Sequence, residues 1–240
     1  MSQLFRKVRI LVRTLMGQEV SGRADINLPC ERFGSAYGGW HIVTEQLSKD
    51  SIVYSFGIGY DVTFDVAIIE RFGLTVHGFD PTPKSLEWVK RQELPAEFVM
   101  HEYGLADFDG TVRFNGPPNP KDISFSICEE QINDRQAVDA PVRRLKTIID
   151  ELGHQEIAVL KMDIEGAEYK VVRDLLGCGI RPGQILIEYH HRFPSIGIQR
   201  TLDSMNEIRQ AGYQLFSVSE SRLEFGFIRN DLACSQTAAA

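Results

Sequence analysis

From residue 51 to residue 230, short apolar runs alternate with stretches in which apolar residues recur every three or four positions. Short apolar runs bounded by turn formers read as strands, and the longer period reads as helix. The first strand, 51–56, ends in Gly57-Ile58-Gly59, and a helix follows through Val66, Ile69 and Phe72 to a stop at Gly73. The second strand, 74–79, ends at Asp80. Thr82 then reads as an N-cap with Pro83 at the first helical position, and the helix continues through Leu86, Trp88 and Val89. A third strand is expected over 96–101. Beyond it, Gly116-Pro117-Pro118-Asn119-Pro120 is a breaker cluster, and 123–127 reads as a short strand or an ordered lid. Val138, Ala140 and Val142 alternate like another short strand, and 145–152 reads as a helix stopped by Gly153.

The fourth strand, 157–162, runs into Asp163-Ile164-Glu165-Gly166, and a helix over 167–176 is closed by Gly177. The fifth strand, 184–189, ends in His190-His191. Ser195 is placed as the cap of a helix over 196–211, closed by Gly212. Two apolar runs, 213–218 and 223–228, are joined by a polar link that suits a hairpin. Strands alternating with helices imply a parallel sheet with crossover helices. The expected organisation is an N-terminal helical or cap segment (1–50), one α/β domain (51–230) and a flexible tail (231–240). The fold class is a mostly parallel seven-stranded sheet with a C-terminal antiparallel hairpin and helices on both faces.

Residues 1–16 change the picture at the N-terminus. Leu4, Val8, Leu11 and Leu15 fall at helical spacing among Arg6, Lys7, Arg9 and Arg13, and the longest apolar run is too short for a signal peptide or a membrane span. Such a helix is expected to dock on its own domain or on a second subunit, in preference to an anionic membrane. The 240 residues, 43% hydrophobic and 25% charged, suit one large domain. A net charge of -7 disfavours nucleic acid, which is held by clustered Lys and Arg. Cys30, Cys128, Cys178 and Cys234 match no zinc spacing and read as reduced thiols, so the chain is expected in the cytoplasm.

The candidate chemistry begins at Gly57 and Gly59. Glycines between a strand and a helix let the backbone approach a ligand and aim free amide N–H groups at it. Asp80, at the end of the next strand, can accept hydrogen bonds from ribose hydroxyls. Together they point to an adenosine-containing cofactor at the carboxyl ends of the strands. A dinucleotide fingerprint wants a third glycine for the pyrophosphate; this chain carries Asp61, which repels that anion and attracts an ammonium. The choice is therefore S-adenosylmethionine over NAD. The antiparallel ending after the fifth strand agrees, since Rossmann-like methyltransferases close this way. Asp163 and Glu165 stand at the mouth where acceptor meets cofactor, and His190 follows the next strand at the same edge. His190 and Asp163 are the candidate bases for a hydroxyl proton. Asp163, Glu165, Glu188 and His190 could also hold Mg²⁺. His41, His77, His101 and His154 read as structural. Tyr37-Gly38-Gly39-Trp40 is either a flap over the site or a packed entry turn.

Four segments carry a family resemblance: 55–61 (SFGIGYD), 78–81 (GFDP), 104–107 (GLAD) and, above all, 160–168 (LKMDIEGAE). They resemble the FkbM-like methyltransferases over roughly 51–212. The resemblance implies a Rossmann-like methyltransferase fold, S-adenosylmethionine as donor, and O-methylation of a sugar or natural-product hydroxyl. It implies that Asp80 holds the ribose and that Leu105, Ala106 and Asp107 flank the adenine. Many members carry an acid where this chain has Ser55, which passes the contact with the methionine end to Asp61 or Asp163. The implied partner is a small-molecule or glycan acceptor, with a homo-oligomer possible. Two rival readings are an NAD-dependent oxidoreductase and a non-catalytic binding module; the loss of the acid at Ser55 favours the latter.

Overall fold

The computed structural model of the chain describes residues 3–114 and 138–237. The breaker cluster at 116–120, the expected strand or lid at 123–127, and residues 238–240 lie outside the described residues. The helix α1 (Gln3–Leu15) comes first, followed by a two-stranded ribbon of β1 (Glu31–Phe33) and β2 (Trp40–Ile42). Next are β3 (Ile52–Phe56), α2 (Thr63–Phe72), β4 (Thr75–Phe79), α3 (Pro83–Val89) and β5 (Phe98–His101). A small sheet is made by β6 (Gly104–Leu105), β7 (Gly110–Phe114) and β8 (Val138–Arg143). The chain continues through α4 (Leu145–Leu152), β9 (Val159–Met162), α5 (Glu168–Gly177), β10 (Gln184–Glu188) and α6 (Gly197–Gln210). It ends in β11 (Tyr213–Val218), β12 (Glu224–Arg229) and α7 (Asn230–Thr237).

Seven strands form the main sheet in the order β11-β12-β10-β9-β3-β4-β5, as expected. The five from β10 to β5 are parallel, and β12 and β11 are antiparallel to their neighbours. The apolar runs mark these strands because the sheet is covered on both faces. Along β3, Tyr54 and Phe56 face one core with α4, α5 and α6, while Val53 faces the other with α2 and α3. The chain builds outward from β3 through β4 to β5, then returns to β9 beside β3 and builds the other way. The gap between the ends of β3 and β9 is therefore a topological switch point, where open α/β sheets bind ligands.

Gly73 and Gly153 end α2 and α4 in the left-handed conformation, as expected. Other terminal signals resolve differently. Gly177 is the last residue of α5 and Cys178 is its cap. Ser195 does not cap α6; Ile196 stands there without a side-chain cap. The expected tail after Asn230 is a helix as far as Thr237, because Ala233 is buried and Gln46 donates to the Leu232 carbonyl. The apolar face of α1 does not dock on the domain: Val8, Leu11, Val12 and Leu15 are exposed. No helix among the described residues is long and apolar enough to cross a membrane. His77, His101 and His154 sit with Tyr54 in an internal cluster, Tyr54 Oη lying 2.7 Å from His154 Nδ1 and His77 Nδ1 lying 2.9 Å from His101 Nε2. Burial pushes His77 down to about 4, so it stays neutral there. Cys30, Cys178 and Cys234 are free thiols.

Candidate active site

A cavity of about 830 Å³ opens at the switch point. That volume lies near the upper end of the range for small-ligand sites, about 300–1,000 Å³, and has room for two small molecules side by side. Its walls include Gly57, Gly59, Asp61 and Asp80 on one side, and Lys161, Asp163, Glu165, Glu188 and Glu224 on the other.

Gly57 has φ +78°, and a Cβ there would lie 1.8 Å from the Asp163 carbonyl oxygen. Only glycine lets the end of β3 meet the end of β9 so closely. The expectation that both glycines present free amides is not met. The Gly57 N–H donates to the Phe79 carbonyl at 3.0 Å, and the Gly59 N–H donates to Asp80 Oδ2 at 2.9 Å. With those two donors engaged, the loop offers less of the amide cradle that a pyrophosphate requires.

Asp80 also accepts, through Oδ1, from the Thr82 N–H and hydroxyl at 2.9 and 2.6 Å. The Thr82 hydroxyl is thereby turned to Asp80 and makes no cap bond to α3. Asp61 is held in the same way: Oδ1 accepts from the Thr63 N–H and hydroxyl, and Oδ2 from Ser35 Oγ at 2.6 Å. Burial pushes Asp61 up, but these bonds outweigh it and keep its carboxyl below the ordinary value. Ser35 Oγ also accepts from the N–H groups of Tyr37 and Gly38, so 37–40 is a pinned turn and not a loose flap. Trp40 is buried beneath the cavity, and Tyr37 stands exposed at its mouth. Leu105 lines the cavity. Ala106 is buried against Ala140 and Val142, and Asp107 is exposed; neither is among the described lining residues.

The opposite side carries the charge. His190 is buried, with Nδ1 2.7 Å from Glu168 Oε1 and Nε2 3.3 Å from Glu165 Oε2 and 3.9 Å from Asp163 Oδ1. Burial alone would lower its pKa, but Glu168, Glu165 and Asp163 overcome this and hold it well above the ordinary value. That direction favours the imidazolium form, which has no lone pair to accept a proton. Its three carboxylate neighbours thus work against the expected role as the base. Burial raises the Asp163 carboxyl, and its Oδ1 has no hydrogen-bond partner. Burial, with the Asp163 charge beside it, pushes Glu188 up to about 9, so Glu188 keeps its proton. Glu165 has φ +51°, a conformation that non-glycine residues hold only when the surroundings impose it.

Asp163, Glu165 and His190 bring one potential ligand atom each within 4.8 Å of one another, and Glu188 is not part of that group. The fit to Mg²⁺ is poor, because that ion prefers six oxygens at octahedral positions and this group offers two carboxylates and an imidazole nitrogen.

Two features were not singled out from the sequence. Lys161 is buried on β9, where its ammonium donates to the carbonyls of Phe56 and Gly57 at 3.3 and 3.2 Å and lies 5.8 Å from the centre of the Trp40 ring. Asp65, in the first turn of α2, is 1% exposed, lines the cavity and has an Oδ1 without a hydrogen-bond partner. Burial moves its carboxyl up to about 6. An acid in the first turn of a helix is an ordinary dipole contact and carries no functional signal by itself. His191 parts company with His190: it is buried against Glu19, with Nε2 2.5 Å from Oε1, and burial lowers its pKa.

Residues 51–215 match the family model described as the methyltransferase FkbM domain. The chain belongs to the FkbM methyltransferase family. Among curated proteins it is similar to the probable methyltransferase-like protein 24 of Homo sapiens, 28% identical over 70% of this chain and 43% of that protein. The Rattus norvegicus protein of the same name is 27% identical over 78% of this chain and 46% of its own. Among solved structures, the FkbM methyltransferase from Methylobacillus flagellatus KT aligns with a TM-score of 0.49 and 17% identity, over 77% of this chain and 45% of that one. The chain thus spans less than half the length of these relatives.

Proposed function

We propose that the chain is an S-adenosylmethionine-dependent methyltransferase that O-methylates a hydroxyl of a sugar or small metabolite. The observation that carries this reading is the acid-lined cavity at the switch point, with a fixed glycine-loop side and a strained, charged side around His190. Such a cavity suits a cationic adenosyl ligand better than a dinucleotide, since Asp61 stays ionised and the Gly57 and Gly59 amides are engaged. S-adenosylmethionine, when bound, supplies an electrophilic methyl on a positive sulfonium. Asp80 holds the ribose from the end of β4, and Leu105 provides an apolar wall for the adenine. Asp61 is the nearer choice for the ammonium of the methionine end, and the unpartnered, buried oxygen of Asp65 is a second acceptor for it.

The acceptor hydroxyl must lose its proton as its oxygen gains the methyl group. Asp163 takes that proton in this reading, because a half-buried carboxylate with a raised pKa is a better base than a fully solvated one. His190 acts as a positioning residue, its positive charge keeping Asp163 and Glu165 together at one edge. No step is assigned to a metal. The net charge of -7 argues against a nucleic acid acceptor, and the free thiols support a cytoplasmic setting. The test is mass spectrometry of hydroxylated sugars and small metabolites incubated with the chain and S-adenosylmethionine. A gain of one methyl on oxygen is expected. Transfer confined to nitrogen, or no transfer to any compound while the cofactor binds, would reject the assignment.

A further inference from the structure

The helix α1 is attached by the wrong side for an ordinary surface helix. A surface helix buries its apolar stripe and shows its charges to water. Here Arg9, Ile10 and Arg13 line the cavity, while Phe5, Val8, Leu11, Val12, Leu15 and Met16 are exposed, Phe5 at 70% and Leu15 at 79%. The attachment itself is polar. Arg13 lies 3.4 Å from the buried Glu19, which also meets His191 Nε2 at 2.5 Å and Arg192 Nη2 at 2.8 Å. Arg13 also donates to the Gln18 carbonyl, which folds the end of the helix back on the segment that Glu19 anchors. The apolar face is thus held outward by contacts that do not use it. A contiguous exposed apolar stripe of this kind marks a site of association.

Charge selects the partner. The first sixteen residues carry four basic groups and no acid, whereas the whole chain carries -7, so the remainder carries -11. Arg13 is already paired with Glu19, but a second copy seated face to face on α1 would still bring the other basic groups of two helices together. An anionic lipid surface attracts the basic groups that Glu19 leaves uncompensated, takes up the apolar stripe, and repels the rest of the acidic domain, which favours one orientation. We propose that α1 seats on an anionic membrane surface through Phe5, Val8, Leu11, Val12, Leu15 and Met16. The opposite edge of the same helix is a wall of the cavity, so the cavity then lies roughly one helix diameter, about 10 Å, from the headgroups.

The test is flotation of the full chain with vesicles of phosphatidylcholine alone and of phosphatidylcholine mixed with phosphatidylserine. The chain is expected to float with the phosphatidylserine vesicles, to bind the neutral ones roughly tenfold or more weakly, and to be released by salt. The double variant Leu11→Glu, Leu15→Glu changes only exposed positions outside the cavity. It should keep its melting temperature and lose roughly tenfold or more of the partitioning. Failure of the parent to float, equal binding to both vesicles, or a double variant that floats like the parent overturns the proposal. So does a concentration-dependent dimer, seen by sedimentation velocity and dispersed by the same variant, which would assign the face to a second copy. Each result is independent of whether methyl transfer is detected.

Discussion

At the glycine-loop side of the cavity, Asp61 and Asp80 have both oxygens taken by hydrogen bonds; at the His190 side, Asp163 keeps an oxygen with none and Glu188 holds on to a proton near neutrality. The first side is satisfied and fixed before any ligand arrives. The second concentrates Asp163, Glu165, Glu168 and Glu188 around one imidazolium, an arrangement that burial makes costly. Perturbed carboxyls of this kind collect where protons are moved. One side is therefore suited to holding a ligand and the other to reacting with it, and the two sets of residues should fail differently when altered.

The largest effect is expected at Asp163. In Asp163→Asn the acceptor's proton loses its destination, and turnover should fall by about 10²–10⁴-fold. Single-turnover methyl transfer measures this; retention of full turnover would move the reacting side elsewhere. Next comes Asp80→Ala on the satisfied side. Losing a charged acceptor for the ribose should weaken S-adenosylhomocysteine binding on the order of tenfold to a hundredfold, read by calorimetry. An unchanged affinity would remove Asp80 from the ligand site.

The comparison was partly legible in the sequence. The seven strands were, because the central ones are buried on both faces and leave short apolar runs, and the outer ones, partly exposed, still carry an apolar pattern. The ribbon of β1 and β2 was not, since three-residue strands leave too short a pattern. Gly57, Asp80 and Asp163 stood out because each lies directly at a strand end. The charge on His190 did not, because its partner Glu168 comes from the next helix back, 22 residues away in sequence. His190 and His191 look alike in the chain. They separate only when folding sets Glu168 against one and Glu19, 172 residues distant, against the other.

Smaller, stability-based effects sharpen the contrast. Glu188 has its pKa raised to about 9, from an ordinary 4.5. Its contribution to stability is complete below pH 4.5 and is lost as the pH rises through 9. Glu188→Gln, uncharged throughout, should therefore melt above the parent at pH 8, by roughly several degrees, with the gap closing toward pH 5. The two histidines should give opposite slopes. His190 stabilises below its ordinary pKa of 6.5, and that contribution is lost as the pH rises through its higher folded value. His191, lowered by burial, contributes above 6.5, and its contribution is lost as the pH falls. The deficit of His190→Gln should shrink as the pH rises, and that of His191→Gln should shrink as it falls. Thermal melts across pH read both, and parallel curves for the two variants would erase the distinction drawn between them.

The central claim is that this acid-rimmed crevice accepts an adenosyl amino acid and refuses a pyrophosphate. Calorimetric titration of the full chain with S-adenosylhomocysteine and with NAD tests it directly. Saturable one-to-one binding is expected for S-adenosylhomocysteine and none for NAD; binding of NAD, or no heat from either, would contradict it.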